Sequence, residues 1–155
     1  MTQEQFSKYS FILDRTARRV KQYAQQKFKL AAFDITVDQW LVMKNLAENE
    51  LLSQTELAQL VFKDQPTLTR IIDILSKKGY VERALHPQDR RSFQLVLTPM
   101  GQIKVQELKP IVAKIREKAW DKLDEHDFEE FKRILNTIYN NLEEAKNQDP
   151  ERHSQ

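Results

Sequence analysis

The chain contains no cysteine, which excludes disulfides, thiolate metal ligands and thiol-based redox sensing. It has only two glycines and five prolines in 155 residues, which leaves little from which to build an active-site loop. No run approaches the ~18 apolar residues of a membrane span, and Met1 to Ser10 has no signal-peptide core. His86, His126 and His153 are scattered without ligand spacing, so a metal site is not expected. No Ser/His/Asp or phosphate-loop constellation is present, and neither an enzyme nor a bound cofactor is expected. A formal net charge of +2 excludes a strongly basic coat but not local patches. With these absences the simplest expectation is a cytoplasmic protein with no membrane partner.

What remains is a helix-rich globular composition, long enough to bury a core as a single domain over 1–155. Charge is unevenly placed. Residues 1–29 hold seven Lys/Arg against two acids, a net of +5, whereas residues 117–151 net −6. Two readings stay open: solvated helix faces, or ends of opposite sign that pair in an assembly.

Apolar spacing predicts a long first helix from about Gln5 to Leu30, with Phe6, Tyr9, Leu13, Thr16, Val20 and Tyr23 on one stripe. Thr36 is a good N-cap for a second helix. Ser53 and Glu56 have the spacing of a capping box, in which each side chain accepts from the other residue's amide. Pro66 suits a first helical turn, and Gly79 is placed as a left-handed cap at the end of "PTLTRIIDILSKK". The period then switches to two. Val81, Arg83 and Leu85 alternate, as do Phe93, Leu95 and Leu97, which predicts a hairpin with residues 86–92 as a long tip. "TP" at 98–99 opens another helix. Its row Leu108, Ile111, Ile115 and Ala119 matches Phe128, Phe131, Leu135, Ile138 and Leu142 of the last helix, as a helix–helix seam requires.

The fold expected is therefore mainly α with a small β-hairpin wing, a winged helix-turn-helix. In that layout the second short helix enters the DNA major groove. Leu57, Ala58, Leu60 and Val61 would pack on Leu68, Ile71, Ile72 and Leu75, leaving Gln65, Thr67, Thr69 and Arg70 outward. Arg70 can donate twice to guanine, Gln65 can pair with adenine, and a threonine methyl can meet thymine. The helix start adds amides for phosphate. The same residues are also ordinary for the surface of an amphipathic helix. On the hairpin tip "HPQDRRS", Pro87 stiffens the approach and Asp89 can bond to Arg91, holding its guanidinium for a narrow minor groove. Arg90 would face phosphate. A plain surface Asp–Arg pair is the alternative, worth little at an exposed site.

The run "LSKKGYVERALHPQDRRSFQLVLTPMGQ" resembles the wing signature of the MarR family of bacterial transcriptional regulators. "SQTELAQLV", "PTLTRIIDIL" and "ITVDQWLVMKNL" resemble that family's helix-turn-helix and the helix before it. The resemblance implies a homodimer gripping a palindromic operator. Dimerisation helices would lie in 1–34 and 99–146, a DNA-binding region in 35–98, and a flexible tail in 147–155. The recognition helix would be 65–78 in the major groove and the wing 86–92 in the minor groove, with Asp89 orienting Arg91. It also implies release by a small aromatic or carboxylate ligand. By position, Phe11, Arg15, Trp40, Met43 and Lys44 could line that pocket, although Trp40 and Met43 read first as core. A winged-helix protein-interaction module without specific DNA binding is the competing function.

Overall fold

A computed structural model describes residues 1–148, apart from the side chains of Ser92, Asn147 and Gln148. The order is α1 (Gln3–Leu30), α2 (Val37–Glu48), α3 (Gln54–Leu60), α4 (Gln65–Lys77), β1 (Val81–His86), β2 (Asp89–Leu97), α5 (Pro99–Trp120) and α6 (Glu125–Gln148). Contacts divide the chain into two compact units, Met1–Ala119 and a second one from Trp120 onward. The expected winged helix-turn-helix lies within the first unit. Of the tail expected over 147–155, residues 147 and 148 are the end of α6, and 149–155 lie outside the described residues.

Helix starts follow the sequence closely. Thr36 and Ser53 cap α2 and α3 in reciprocal boxes with Gln39 and Glu56. Helix ends are less regular, because the chain has so few glycines. Gly79 takes φ +79° after α4, as expected, but Ala32 after α1 and Phe62 after α3 adopt φ 55° and 54° in the same role. In each case two amides fold back on the last turn: Phe33 to Phe28 and Ala32 to Lys29, Lys63 to Ala58 and Phe62 to Gln59, Tyr80 to Leu75 and Gly79 to Ser76. A left-handed residue with a Cβ costs roughly 1–2 kcal/mol, so the returning bonds must offset that strain.

The core of the first unit is built from Phe28, Trp40, Met43, Leu57, Leu68, Ile72, Leu75, Val81, Leu95 and Leu108. Leu57, Ala58 and Val61 are buried as expected, but Leu60 is exposed, because α3 ends there and only one side of its two turns faces α4. The N-terminal part of α1 is exposed through Gln22, and its C-terminal part enters the core at Phe28.

The hairpin is two antiparallel strands, with Val81 opposite Leu97 and Leu85 opposite Phe93. Its apolar alternation buries only the base. Val81 and Leu95 are buried, while Leu85 and Phe93 remain 61% and 60% exposed where the hairpin leaves the domain. In the second unit, Asp124 and Asp127 cap α6 reciprocally. Trp120 packs edge-on against Phe128 and Phe131, with centroids 5.6 and 5.2 Å away. The rows expected to form one seam differ in exposure. Leu108 and Ile115 are buried, whereas Phe128, Phe131, Ile138 and Leu142 stay open to solvent.

Candidate nucleic-acid interface

The second helix of the helix-turn-helix starts at a cap that the sequence reading missed. Asp64 accepts from the Thr67 amide at 2.7 Å, and Pro66 occupies the first turn. The Thr67 amide and hydroxyl hold the Asp64 carboxyl below its ordinary range. With that amide taken and none on Pro66, the helix start offers phosphate less than the free amides expected. Beyond the cap, Gln65 and Arg70 are exposed and Thr67 and Thr69 half-buried, while Leu68, Ile71, Ile72 and Leu75 face the core. The first two turns of α4 thus display all four expected side chains. Gln54, at the start of α3, reaches across to these turns and bonds to Thr69 at 2.7 Å and to Gln65 at 3.4 Å. No local sequence pattern points to Gln54; only the packing of α3 on α4 brings it there.

The wing departs from the expected long tip. His86 pairs with Asp89, so Pro87 and Gln88 alone form the turn, and the Gln88 amide donates to His86 Nδ1 at 3.2 Å. The next pair is Leu85 with Phe93, so residues 90–92 of β2 have no opposite number and form a bulge. Arg90 and Arg91 are both exposed on this bulge. Asp89 Oδ1 accepts from the amide of Arg91 at 3.0 Å, rather than bonding its guanidinium. Asp89 therefore shapes the backbone that carries the arginine and does not itself engage the guanidinium. Farther down the wing, Arg83 lies 3.6 Å from Asp73 of α4, an exposed pair of small energetic value.

The base of the wing is joined to α4 and α5 by stronger contacts. Thr98 Oγ1 donates to the Gly79 carbonyl at 2.5 Å and accepts from the Gly101 amide at 3.0 Å. The Thr98 amide donates to the Tyr80 carbonyl at 3.1 Å, and the Tyr80 hydroxyl donates to Asp34 at 2.6 Å. Lys104 stands 3.6 Å from the same carboxylate, and Lys78 Nζ donates to the Asp34 carbonyl. Burial raises the Asp34 carboxyl, but the Tyr80 hydroxyl, Lys104 and Lys78 outweigh it and leave the carboxyl below its ordinary value.

The five residues considered for a ligand fall into different environments. Trp40 and Met43 are in the core, and Lys44 is half-buried near Glu48 at 3.9 Å. Phe11 is 63% exposed on α1, with the Arg15 guanidinium 5.9 Å from its ring centroid. Among the described residues, Trp40 Nε1 is one of two buried side-chain polar atoms without a hydrogen-bond partner; Gln94 Oε1 is the other. The described residues contain no metal-binding cluster and no helix long and apolar enough to cross a membrane.

A family model described as the MarR family matches residues 35–93, which run from the start of α2 into the wing. The HTH-type transcriptional regulator SarZ of Staphylococcus haemolyticus is 30% identical over 115 residues, 74% of each chain. The uncharacterized HTH-type transcriptional regulator YdcH of Bacillus subtilis is 36% identical over 90 residues, 56% of this chain but only 61% of the relative's own length. The solved complex of S. aureus MepR with DNA superposes with a TM-score of 0.76 at 24% identity, covering 86% of this chain and 97% of that one, a likeness of fold. A matched helix-turn-helix, an arginine-bearing wing and a relative aligned over most of both chains lead to one assignment: this chain is a transcriptional regulator of the MarR family, not an enzyme.

Proposed function

We propose that the protein is a homodimer that reads a palindromic operator, with α4 in the major groove and the wing in the minor groove. The observation that carries this reading is the convergence, within one unit, of two outward features. These are the first turns of α4, with Gln65, Thr67, Thr69 and Arg70, and the bulge that presents Arg90 and Arg91. Among the described residues neither bulge guanidinium has a hydrogen-bond or ion-pair partner, and a bent, thin strand end suits the negative potential of a narrow groove. MepR, which shares the fold, was solved with DNA.

Dimerisation is supported by exposed apolar rows within each unit: Phe6, Tyr9 and Leu13 on α1, and Phe131, Ile134 and Ile138 on α6. Rows of this size are costly in water and typical of an interface. The regions 1–34 and 99–146 would then hold the dimer together, and 35–98 would contact DNA. Selecting genomic fragments with the purified protein tests the reading. It should enrich inverted half-sites whose centres lie about one DNA turn, roughly 10–10.5 base pairs, apart. Recovery of no common sequence would favour a protein-interaction role for the winged unit instead.

A small-ligand response is the second part of the proposal, favoured by the unpartnered indole N–H of Trp40. A buried donor without an acceptor costs about 1–3 kcal/mol, which a carboxylate or phenolate could recover. Titrating benzoate into a Trp120→Phe variant isolates Trp40 fluorescence, since the chain has two tryptophans. Emission that changes in step with DNA release supports the ligand site; emission that stays constant refutes it.

A further inference from the structure

The contact between Gln54 and α4 has a consequence for base recognition, resting on the reading of α4 as the groove helix. Gln65 and Thr69 are four residues apart, on the same face of successive turns, and Gln54 Nε2 donates to Oε1 of the first and Oγ1 of the second. We propose that Gln54 is a positioning residue that determines specificity, by fixing the hydrogen-bond polarity that Gln65 and Thr69 present to the base edges.

The supply of protons decides which end of each side chain is left for DNA. A glutamine amide has one oxygen and two N–H protons, and a threonine hydroxyl has one proton. With the Gln65 oxygen turned to Gln54, its amide nitrogen is the end left for DNA. With Thr69 accepting from Gln54, its one proton is left to donate. Arg70 on the following position can only donate. All three groups therefore offer donors, which match guanine O6 and N7 or thymine O4 and oppose the N4 amino group of cytosine. This revises the pairing of Gln65 with adenine, because that pairing uses the amide oxygen and nitrogen together.

Gln54 could act as no more than a tie between α3 and α4, and the experiment separates the two roles. Wild type, Gln54→Ala and Gln54→Glu are each used to select from a randomised duplex pool, with melting temperatures measured in parallel. Wild type should favour acceptor edges under the first turns of α4. Gln54→Ala should flatten that preference by about fivefold or more, the lower range for one good base contact. Gln54→Glu replaces the shared donor with an acceptor. The Thr69 proton and Gln65 amide then turn toward it, the Gln65 oxygen turns to the groove, and preference should shift toward adenine or cytosine amino groups. If both variants keep the wild-type preference at every position and only melt lower, Gln54 is a tie and the proposal falls. If wild type enriches no sequence, the DNA reading itself falls and takes this proposal with it.

Discussion

Gly101→Ala is a sharp test of how the wing base is built, because two known effects oppose each other there. Gly101 lies in the first turns of α5, where alanine would gain about 1 kcal/mol in helix propensity. A Cβ at this position, however, would lie far inside 3.0 Å of the Tyr80 carbonyl oxygen, a distance that real Cβ atoms do not adopt. The obstacle is backbone, held from several sides. Thr98 donates to that carbonyl, Thr98 Oγ1 bonds Gly79 and Gly101, and the Tyr80 hydroxyl is tied to Asp34. Overpacking into such a site costs about 3 kcal/mol, and loss of the Thr98–Tyr80 bond adds about 1. The clash should win, with a net destabilisation of roughly 2–4 kcal/mol in urea unfolding. Unchanged or higher stability would show that α5 and the wing base are not locked together, and would refute this account of the junction.

Tyr80→Phe should cost about 1 kcal/mol at neutral pH, after allowance for the half-exposed Asp34 partner. A carboxyl lowered on folding stabilises the fold above its ordinary pKa of 3.8, and this is lost as pH falls through the lowered value. The gap between wild type and Tyr80→Phe should therefore close below that pH; a constant gap would contradict the assignment. In the wing, Asp89→Asn keeps an acceptor for the Arg91 amide and should bind operator as well as wild type or better, having shed a negative charge. Asp89→Ala loses the acceptor and should bind more weakly in gel shifts; equal binding by Asn and Ala variants would rule out the bulge-shaping role. Phe131→Glu should leave the secondary structure intact but halve the sedimenting mass, since each buried aromatic contributes about 1.5–3 kcal/mol and two-fold symmetry counts it twice. A dimer that persists at low micromolar concentration would remove α6 from the interface.

Much of this fold is legible in local chemistry. Thr36, Ser53 with Glu56, and Gly79 announce their helix ends because each signal needs only three or four neighbouring residues. Ala32 and Phe62 perform the Gly79 role with side chains that give no hint of left-handed backbone, so those ends are invisible until the chain folds back. The shape of the wing tip is hidden for a related reason. Alternation fixes which residues share a face but not register, and a shift between Leu85 and His86 turns a supposed seven-residue tip into a two-residue turn plus a bulge. The Asp89–Arg91 spacing did signal a contact, although with the amide rather than the guanidinium. Gln54 could not be found at all, because its two partners lie 11 and 15 residues away on another helix.

Under the proposed function the wing Arg91 contacts DNA while contributing nothing to the fold, and titration of a fluorescent operator duplex separates those two roles. Wild type and Arg91→Ala should unfold at the same urea concentration, while the variant's operator affinity falls by roughly 1–3 kcal/mol at fixed salt. Equal affinity for the two proteins would contradict the account.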